Sequence, residues 1–252
     1  MSLVWFSAAG LCGATLIGSI LGFSIKALPH RWNDTVLGFC AGVMLAAAVI
    51  GLILPAAEMA PTSQWWLVVG GATIGAFFLN ILDFVTPHLH MLTGLDAEEH
   101  RNNQRLSRVL LFVMAIALHK FPEGIAAGVS LTDVQDGGTP LAVTFGIALQ
   151  NVPEGMVVIS PLLLAGVSRL RTVAISLAIG LLEVLGVWTG YALGIVSEVF
   201  LPCMLAFAGG AMLYVVSDEM IPETHSHGYQ KQATYALVLG FLVLLYLERL
   251  FA

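Results

Sequence analysis

The residues with the clearest chemical potential are charged side chains inside long apolar stretches of the sequence. Two of these stretches carry almost the same phrase, ALHKFPEGI over residues 117–125 and ALQNVPEGM over residues 148–156, so that Glu123 and Glu154 have matching surroundings. A third glutamate, Glu183, lies alone in the next apolar stretch. A charge inside hydrocarbon is unfavourable unless it is paired or bound to something. The three glutamates therefore indicate a functional site.

The spacing within each phrase brings its polar residues onto one side of a helix. Residues three and four positions apart are neighbours on a helix surface, so each glutamate lies beside the two polar residues that precede it. Two similar phrases on consecutive, antiparallel helices predict two facing halves of one site. The neighbours are His119, Lys120 and Glu123 in the first phrase and Gln150, Asn151 and Glu154 in the second.

A proline precedes each of these two glutamates and a glycine follows it. Pro122 and Pro153 have no N–H, so the helical backbone is predicted to open beside the polar groups. Gly124 and Gly155 leave room for another segment of chain or for water. Polar backbone at this depth is tolerated only where it is buried or lines a wet cavity.

The predicted ligand set favours a divalent transition metal. Imidazole, carboxylate and amide oxygen suit Zn²⁺ and its first-row neighbours, whereas copper(I) prefers thiolates. The three glutamates and Lys120 leave two net negative charges when all four are ionised, which one dication neutralises. A structural interpretation stays open, in which His119 is a hydrogen-bonded packing residue and Glu123 forms an ion pair with Lys120.

The elements that must position these residues are transmembrane helices. Of the 252 residues, 58% are hydrophobic and only 10% are charged, against roughly 25% charged in an average soluble domain. A span needs about 20 mainly apolar residues, and the segments lack the alternating pattern of barrel strands. The sequence therefore predicts an all-α polytopic membrane protein, with eight transmembrane helices in one bundle that forms a single domain. The predicted spans are residues 3–28, 35–57, 65–86, 108–131, 140–167, 172–196, 199–217 and 233–251, with a polar cytoplasmic loop over 87–107.

The basic residues predict the orientation of the bundle. Eight of the ten lysines and arginines lie in alternate loops, which the positive-inside rule assigns to the cytoplasm. Both termini are then outside, and the protein is predicted to cross the cell (inner) membrane many times. The eight residues are Lys26, Arg31, Arg101, Arg105, Arg108, Arg169, Arg171 and Lys231.

Charge and cysteine content exclude other classes of protein. Ten basic and sixteen acidic residues give a formal net charge of −6, which argues against a nucleic-acid partner. Cys12, Cys40 and Cys203 lie far apart and form no C-x-x-C pair. They are predicted to be small hydrophobic residues rather than a disulfide framework or a thiolate metal site.

Glycines four residues apart recur in several predicted spans. Small residues at this spacing permit close contact between helices. Two interpretations stay open, namely tight packing inside the bundle and the subunit interface of a homodimer. The repeats are Gly186, Gly190 and Gly194, the pair Gly18 and Gly22, and the pair Gly71 and Gly75.

The HxFPEG and QNxPEG phrases, the lone glutamate in the following span and eight spans with outside termini resemble the ZIP (Zrt/Irt-like) family of divalent metal transporters. The glutamine in the fifth span is similar to that of the prokaryotic GufA-like branch. The resemblance implies transport toward the cytoplasm of Zn²⁺, or of Cd²⁺, Fe²⁺, Mn²⁺ or Co²⁺, with the metal as substrate and no organic cofactor. The transport site that it implies consists of His119, Glu123, Gln150, Glu154 and Glu183.

Two further positions are interpreted by the same resemblance. Met44, in the segment AGVMLAAA, resembles a position where a methionine can complete the site, although a core-filling role is the alternative. Many family members carry asparagine at the position of Lys120, where it helps to form a second metal site. A protonated ammonium cannot ligate, so we hypothesise a single-metal site in which Lys120 is a built-in cation. Asn151 then becomes a weak or indirect ligand.

A second polar cluster follows the seventh predicted span, in the segment SDEMIPETHSHG over residues 217–228. Acid- and histidine-bearing cytoplasmic segments of the family resemble it and can hold metal near the exit. The alternative is a solvated helix end. The candidate cytoplasmic metal residues are Asp218, Glu219, Glu223, His225 and His227.

Two functions of other classes are alternatives to transport. An intramembrane zinc peptidase would use a bound metal to activate water, but the sequence has no H-E-x-x-H motif. A membrane metal sensor is the other alternative. Transport is the function that the paired phrases favour.

Overall fold

A computed structural model describes residues 2–24, 29–92, 117, 120–132, 139–164, 166–196 and 200–251, and these residues are helical almost throughout. Two π-helical segments, Ala47–Ile53 and Val216–Met220, each join two α-helices, and a 3₁₀ turn at Thr62–Gln64 precedes the fourth α-helix. The α-helices are α1 Ser2–Ser24, α2 His30–Ala46, α3 Leu54–Met59, α4 Trp65–Leu92, α5 120–130, α6 Thr139–Leu164, α7 Arg169–Val196, α8 Leu201–Val215, α9 Ile221–Thr224 and α10 Gln230–Phe251.

Six helical stretches within these ranges are long and apolar enough to cross a membrane. α6 overlaps the predicted span 140–167 and contains the apolar stretch Val143–Ile159, and α5 lies within the predicted span 108–131. The predicted fold class, an all-helical polytopic membrane protein, is confirmed. The six stretches are Leu3–Ser24, His30–Met59, Thr62–Ile81, Arg169–Ile195, Leu201–Thr224 and Gln230–Leu250.

Several helices begin or end at other residues than the predicted spans. α2 begins at His30 rather than at residue 35, because the polar residues of its first two turns continue the helix. α4 continues to Leu92, so that residues 87–92 of the predicted cytoplasmic loop are helical. The seventh span does not end at residue 217 but continues through a π-helical segment to Thr224. The rest of the predicted loop, residues 93–107, lies outside the described residues.

The stretch that contains α2 and α3 is the central element of the bundle. In its most apolar part, 67% is buried inside the bundle. The corresponding parts of the α4 and α10 stretches are only 22% buried, so most of their apolar side chains face outward. α10 packs along α2, α4 packs along α8, and α1 packs against both α6 and α7. The buried core is built largely from small residues such as Ala41, Ala47 and Ala208, which lets the helices approach closely.

The repeated glycines lie at contacts between helices of the same chain. A Cβ atom at Gly75 would meet the backbone carbonyl of Phe207 in α8, so the two helices touch through their backbones. Internal packing therefore explains the repeats, and a homodimer stays a prediction. The same close approach occurs at Gly18 and Gly22 against α6, at Gly71 against α8, and at Gly186 and Gly190 against α5.

Each π-helical segment ends two residues before a proline. The N–H of Leu54 donates to the carbonyl of Val49, and the N–H of Ile221 donates to that of Val216. These wide turns come just before Pro55 and Pro222, which cannot donate a hydrogen bond to the fourth preceding carbonyl. α6, in contrast, continues as an α-helix through Pro153. The sequence pattern did not indicate Pro55 and Pro222, and the opening of the backbone beside Pro122 and Pro153 stays a prediction.

We expect Gly75→Ala to lower the free energy of unfolding by about 1–3 kcal/mol, because the new methyl group would force α4 away from the backbone of α8. Chemical unfolding in detergent, followed by tryptophan fluorescence, measures this change. Gly70→Ala on the same helix is the matched control, since its Cβ would meet no atom within 4 Å. Equal stability of the two variants would show that the α4–α8 contact is not tight.

Candidate functional site

The two repeated phrases place their charged and amide residues in the interior of the bundle. α5 carries Lys120 and Glu123, and α6 carries Gln150, Asn151 and Glu154; all five residues are buried. Glu183 on α7 and Met44 on α2 are buried as well. His119, the predicted imidazole ligand, lies outside the described residues.

The ammonium group of Lys120 lies at the centre of this cluster. Its Nζ atom donates to Glu123 Oε2 at 2.6 Å, to Asn151 Oδ1 at 2.6 Å and to Glu154 Oε2. An ammonium has three protons, so each has an acceptor. Lys120 therefore joins α5 to α6 through two carboxylates and one amide.

The amide side chains extend the network to the third glutamate. Asn151 accepts from Lys120 through its oxygen and donates through Nδ2 to Glu183 Oε1 at 2.7 Å. Gln150 Nε2 donates to Glu123 Oε1 at 3.0 Å. The three glutamates are thus connected by hydrogen bonds through Lys120 and the amide of Asn151, and Gln150 adds a bond to Glu123 alone.

Two groups of α1 complete the surroundings of Glu183. The hydroxyl of Thr15 lies 3.4 Å from Glu183 Oε2 and 3.3 Å from the carbonyl oxygen of Leu11, and it donates to one of them at a time. The Leu11 carbonyl also accepts from Asn151 Nδ2 at 3.3 Å. The repeated phrases did not indicate that α1 lies at the site. Thr15 and Gly18 are three residues apart and so share one face of α1, and this spacing is the feature of the sequence that could have indicated its contact with the site.

The glycine of each phrase brings a neighbouring helix to the cluster. A Cβ atom at Gly124 would lie 2.9 Å from the Cα atom of Gly186, so α7 approaches α5 beside Glu123. A Cβ atom at Gly155 would lie 2.5 Å from the carbonyl oxygen of Thr15, so α1 approaches α6 beside Glu154. The two glycines were predicted to leave room for another segment of chain, and the segments that fill this room are α7 and α1.

Buried oxygen atoms remain available around this network. Gln150 Oε1 is buried and has no hydrogen-bond partner among the residues that the structure describes. Cys40 of α2 lies alongside, with its sulfur 3.8 Å from the backbone carbonyl oxygen of Gln150. Met44 follows Cys40 by four residues and so lies on the same face of α2. The thiol of Cys40, predicted as a small hydrophobic residue, is thus a neighbour of the site.

Within the described ranges, no three His, Cys, Asp or Glu side chains form a group arranged to hold a metal ion. The physical reason at the three glutamates is the position of Lys120, whose ammonium occupies the space between Glu123 and Glu154. With all four groups ionised the cluster retains a net negative charge. Buried ions that are incompletely paired are strongly destabilising, so the cluster favours a further cation or protons.

The predicted cytoplasmic residues do not form one group. His225 Nδ1 lies 2.8 Å from the carbonyl oxygen of Ile221, within its own turn. His227 instead faces α2, where its Nδ1 lies 3.1 Å from Asp34 Oδ1 and its ring stacks on His30 at 4.4 Å. Asp218 and Glu219 lie in the second π-helical segment, and Glu223 lies in α9. A cytoplasmic metal site stays a prediction.

The chain is similar over nearly its whole length to known proteins. The family model described as ZIP Zinc transporter matches residues 93–248. The chain belongs to the ZIP zinc transporter family. The zinc transporter ZIPB of Bordetella bronchiseptica is 39% identical over 96% of this chain and 78% of that protein. The zinc transporter GufA of Myxococcus xanthus is 36% identical over 95% of this chain and 98% of its own length. The human zinc transporter ZIP11 is 30% identical, over 94% of this chain and 93% of that protein.

Membership of this family decides between the function classes. The family consists of transporters and not of enzymes, so the alternative of an intramembrane peptidase is set aside. The protein is a multi-pass membrane protein that transports zinc, and zinc is its substrate. The predicted family is confirmed.

We expect Lys120→Met to lower the free energy of unfolding by about 3–5 kcal/mol, because it leaves buried carboxylates without their cation. Chemical unfolding in detergent with a metal chelator measures the loss. The double variant Lys120→Met with Glu154→Gln should recover part of it, since one negative charge is removed. Lys231→Met, at an exposed position, is the control and should change stability by less than about 0.5 kcal/mol. Equal stability of Lys120→Met and the wild type would contradict this account of the cluster.

Proposed function

We propose that zinc moves toward the cytoplasm through a single-metal site formed by α5, α6 and α7. The observation that carries this proposal is the connected set of Glu123, Glu154 and Glu183, which come from three different helices and are all buried. A dication compensates the net negative charge of this set and Lys120. A purely structural ion pair needs only one carboxylate for one ammonium.

The proposed ligands are the oxygen atoms that Lys120 leaves available, together with His119. Lys120 uses one oxygen of Glu123 and one of Glu154. The buried and unpartnered Gln150 Oε1 is oriented by the hydrogen bond that its own amide nitrogen donates to Glu123. Zinc accepts carboxylate oxygen and imidazole nitrogen in a four-coordinate shell. Met44 is proposed as a further ligand from α2, and Asn151 acts indirectly because both ends of its amide are already engaged.

The same geometry suggests how the site moves. α5 and α6 are joined through Lys120, and glycine contacts attach α7 to α5 and α1 to α6. These four helices therefore move as one unit that carries the ion. The other unit consists of α2 with α10 and of α4 with α8, which pack closely as pairs. Rocking of one unit against the other gives the site access to each side in turn. Cd²⁺, Fe²⁺, Mn²⁺ and Co²⁺ are further proposed substrates of the same ligand set.

We expect Glu123→Gln and Glu154→Gln each to reduce zinc flux at least about tenfold, because each replaces a charged metal ligand by a neutral one. Flux is measured in proteoliposomes that contain a zinc-sensitive dye. Glu58→Gln, at an exposed position on α3, is the control and should leave flux close to that of the wild type. Undiminished flux in both test variants would contradict a transport site at these glutamates.

Lys120→Asn tests whether one metal or two occupy the site. The neutral amide removes the built-in cation and supplies a ligand oxygen, so bound zinc should rise from one to two ions per chain. Elemental analysis of protein equilibrated with zinc and freed of unbound metal gives the number. If Lys120→Asn binds the same number of zinc ions per chain as the wild type, Lys120 does not take the place of a second ion.

A further inference from the structure

A groove with a volume of about 370 Å³ lies between the first turns of α2 and α10. It is far from the glutamate cluster in sequence and is formed by other helices. The distribution of basic residues predicts that this end of the bundle faces the cytoplasm, so the groove lies at the level of the lipid headgroups. Its walls include Arg31, Trp32, Thr35, Gln232, Tyr235 and Leu239.

One end of the groove presents hydrogen-bond donors suited to a phosphate. Arg31 is exposed, and its Nε atom donates to Gln232 Oε1 at 2.9 Å, which holds the guanidinium beside the groove. Among the described residues Arg31 forms no ion pair with a carboxylate. Gln232 is left with its amide nitrogen as a donor beside it. A planar guanidinium matches the geometry of phosphate oxygens.

The opposite wall of the groove is apolar and open to the membrane. Trp32, Tyr235 and Leu239 are 57%, 79% and 56% exposed, respectively. Exposed tryptophan and tyrosine are typical of the membrane–water interface. The groove therefore offers a charged end and an apolar side, as an amphiphilic molecule requires.

Arg31 is the one charged residue among those that line the groove. α2 and α10 both begin at this end, and neither has an acidic residue in its first turn. The nearest acid of α2, Asp34, is fully buried and faces His227 rather than the groove. Lys231 adjoins Gln232 in the first turn of α10. The lining of the groove therefore carries a positive charge and no negative one.

We propose that this groove binds an anionic phospholipid, with its phosphate at Arg31 and Gln232 and an acyl chain along Trp32, Tyr235 and Leu239. The observations are a cationic, hydrogen-bonding end, an apolar side and the position at the headgroup level. Basic pockets between transmembrane helices on the cytoplasmic side bind acidic lipid headgroups in this manner. The proposal is independent of the proposed transport site.

Native mass spectrometry of the full chain in detergent tests the proposal with added phosphatidylglycerol or phosphatidylcholine. The wild type should retain phosphatidylglycerol in preference to phosphatidylcholine, and Arg31→Gln should reduce this retention about fivefold. Arg31→Lys keeps the charge but loses the planar fork, so its retention should be intermediate. Arg171→Gln is the matched control, because it removes an exposed arginine from the same predicted side of the membrane at another helix.

Three outcomes would overturn the proposal. The first is equal retention of the two lipids by the wild type. The second is equal loss of phosphatidylglycerol in Arg31→Gln and Arg171→Gln, which would indicate general surface charge. The third is displacement of the lipid by inorganic phosphate at similar concentration, which would indicate a site for the free anion. Thermal unfolding of each variant in detergent shows that the comparison is made on folded protein.

Discussion

The buried ammonium of Lys120 is the interaction on which the interior of this transporter depends. Carboxylates that enter a low-dielectric interior repel each other and lose their hydration, so they need a compensating charge at short range. Lys120 supplies it to Glu123 on its own helix and to Glu154 on the next. Because all three of its protons are bound, the same group that neutralises charge also fixes the relative position of α5 and α6.

The glycines of the repeated phrases complete this arrangement. Each glycine follows its glutamate directly, so the surface beside each acid is bare and a neighbouring helix can come within backbone contact. At Gly124 the neighbour is α7, which contributes the acid Glu183. At Gly155 it is α1, which contributes the hydroxyl of Thr15. Two nearly identical phrases therefore form an asymmetric site, because the approaching helix contributes a carboxylate beside Gly124 and a hydroxyl beside Gly155.

Two prolines that the sequence pattern did not single out, Pro55 and Pro222, follow π-helical turns. A proline removes one hydrogen-bond donor wherever it occurs, so the sequence alone marks Pro55, Pro122, Pro153 and Pro222 as equivalent. α6 nevertheless remains helical through Pro153, whereas the turns before Pro55 and Pro222 widen to the π form. Whether a helix widens depends on the packing of the adjoining turns against neighbouring helices. That packing is not contained in the spacing of prolines along the chain.

The sequence by itself determined the all-helical membrane fold, the family and the buried polar residues of α5, α6 and α7. Composition and the length of apolar stretches follow from the thickness of hydrocarbon, and buried charges are rare enough to mark a site. Only the tertiary structure decided that Lys120 binds Glu154 and that Thr15 reaches Glu183. It also decided that His227 turns to α2 rather than to its own segment. Helical periodicity tells which residues share a face of one helix, but partners on other helices depend on how those helices rotate and pack.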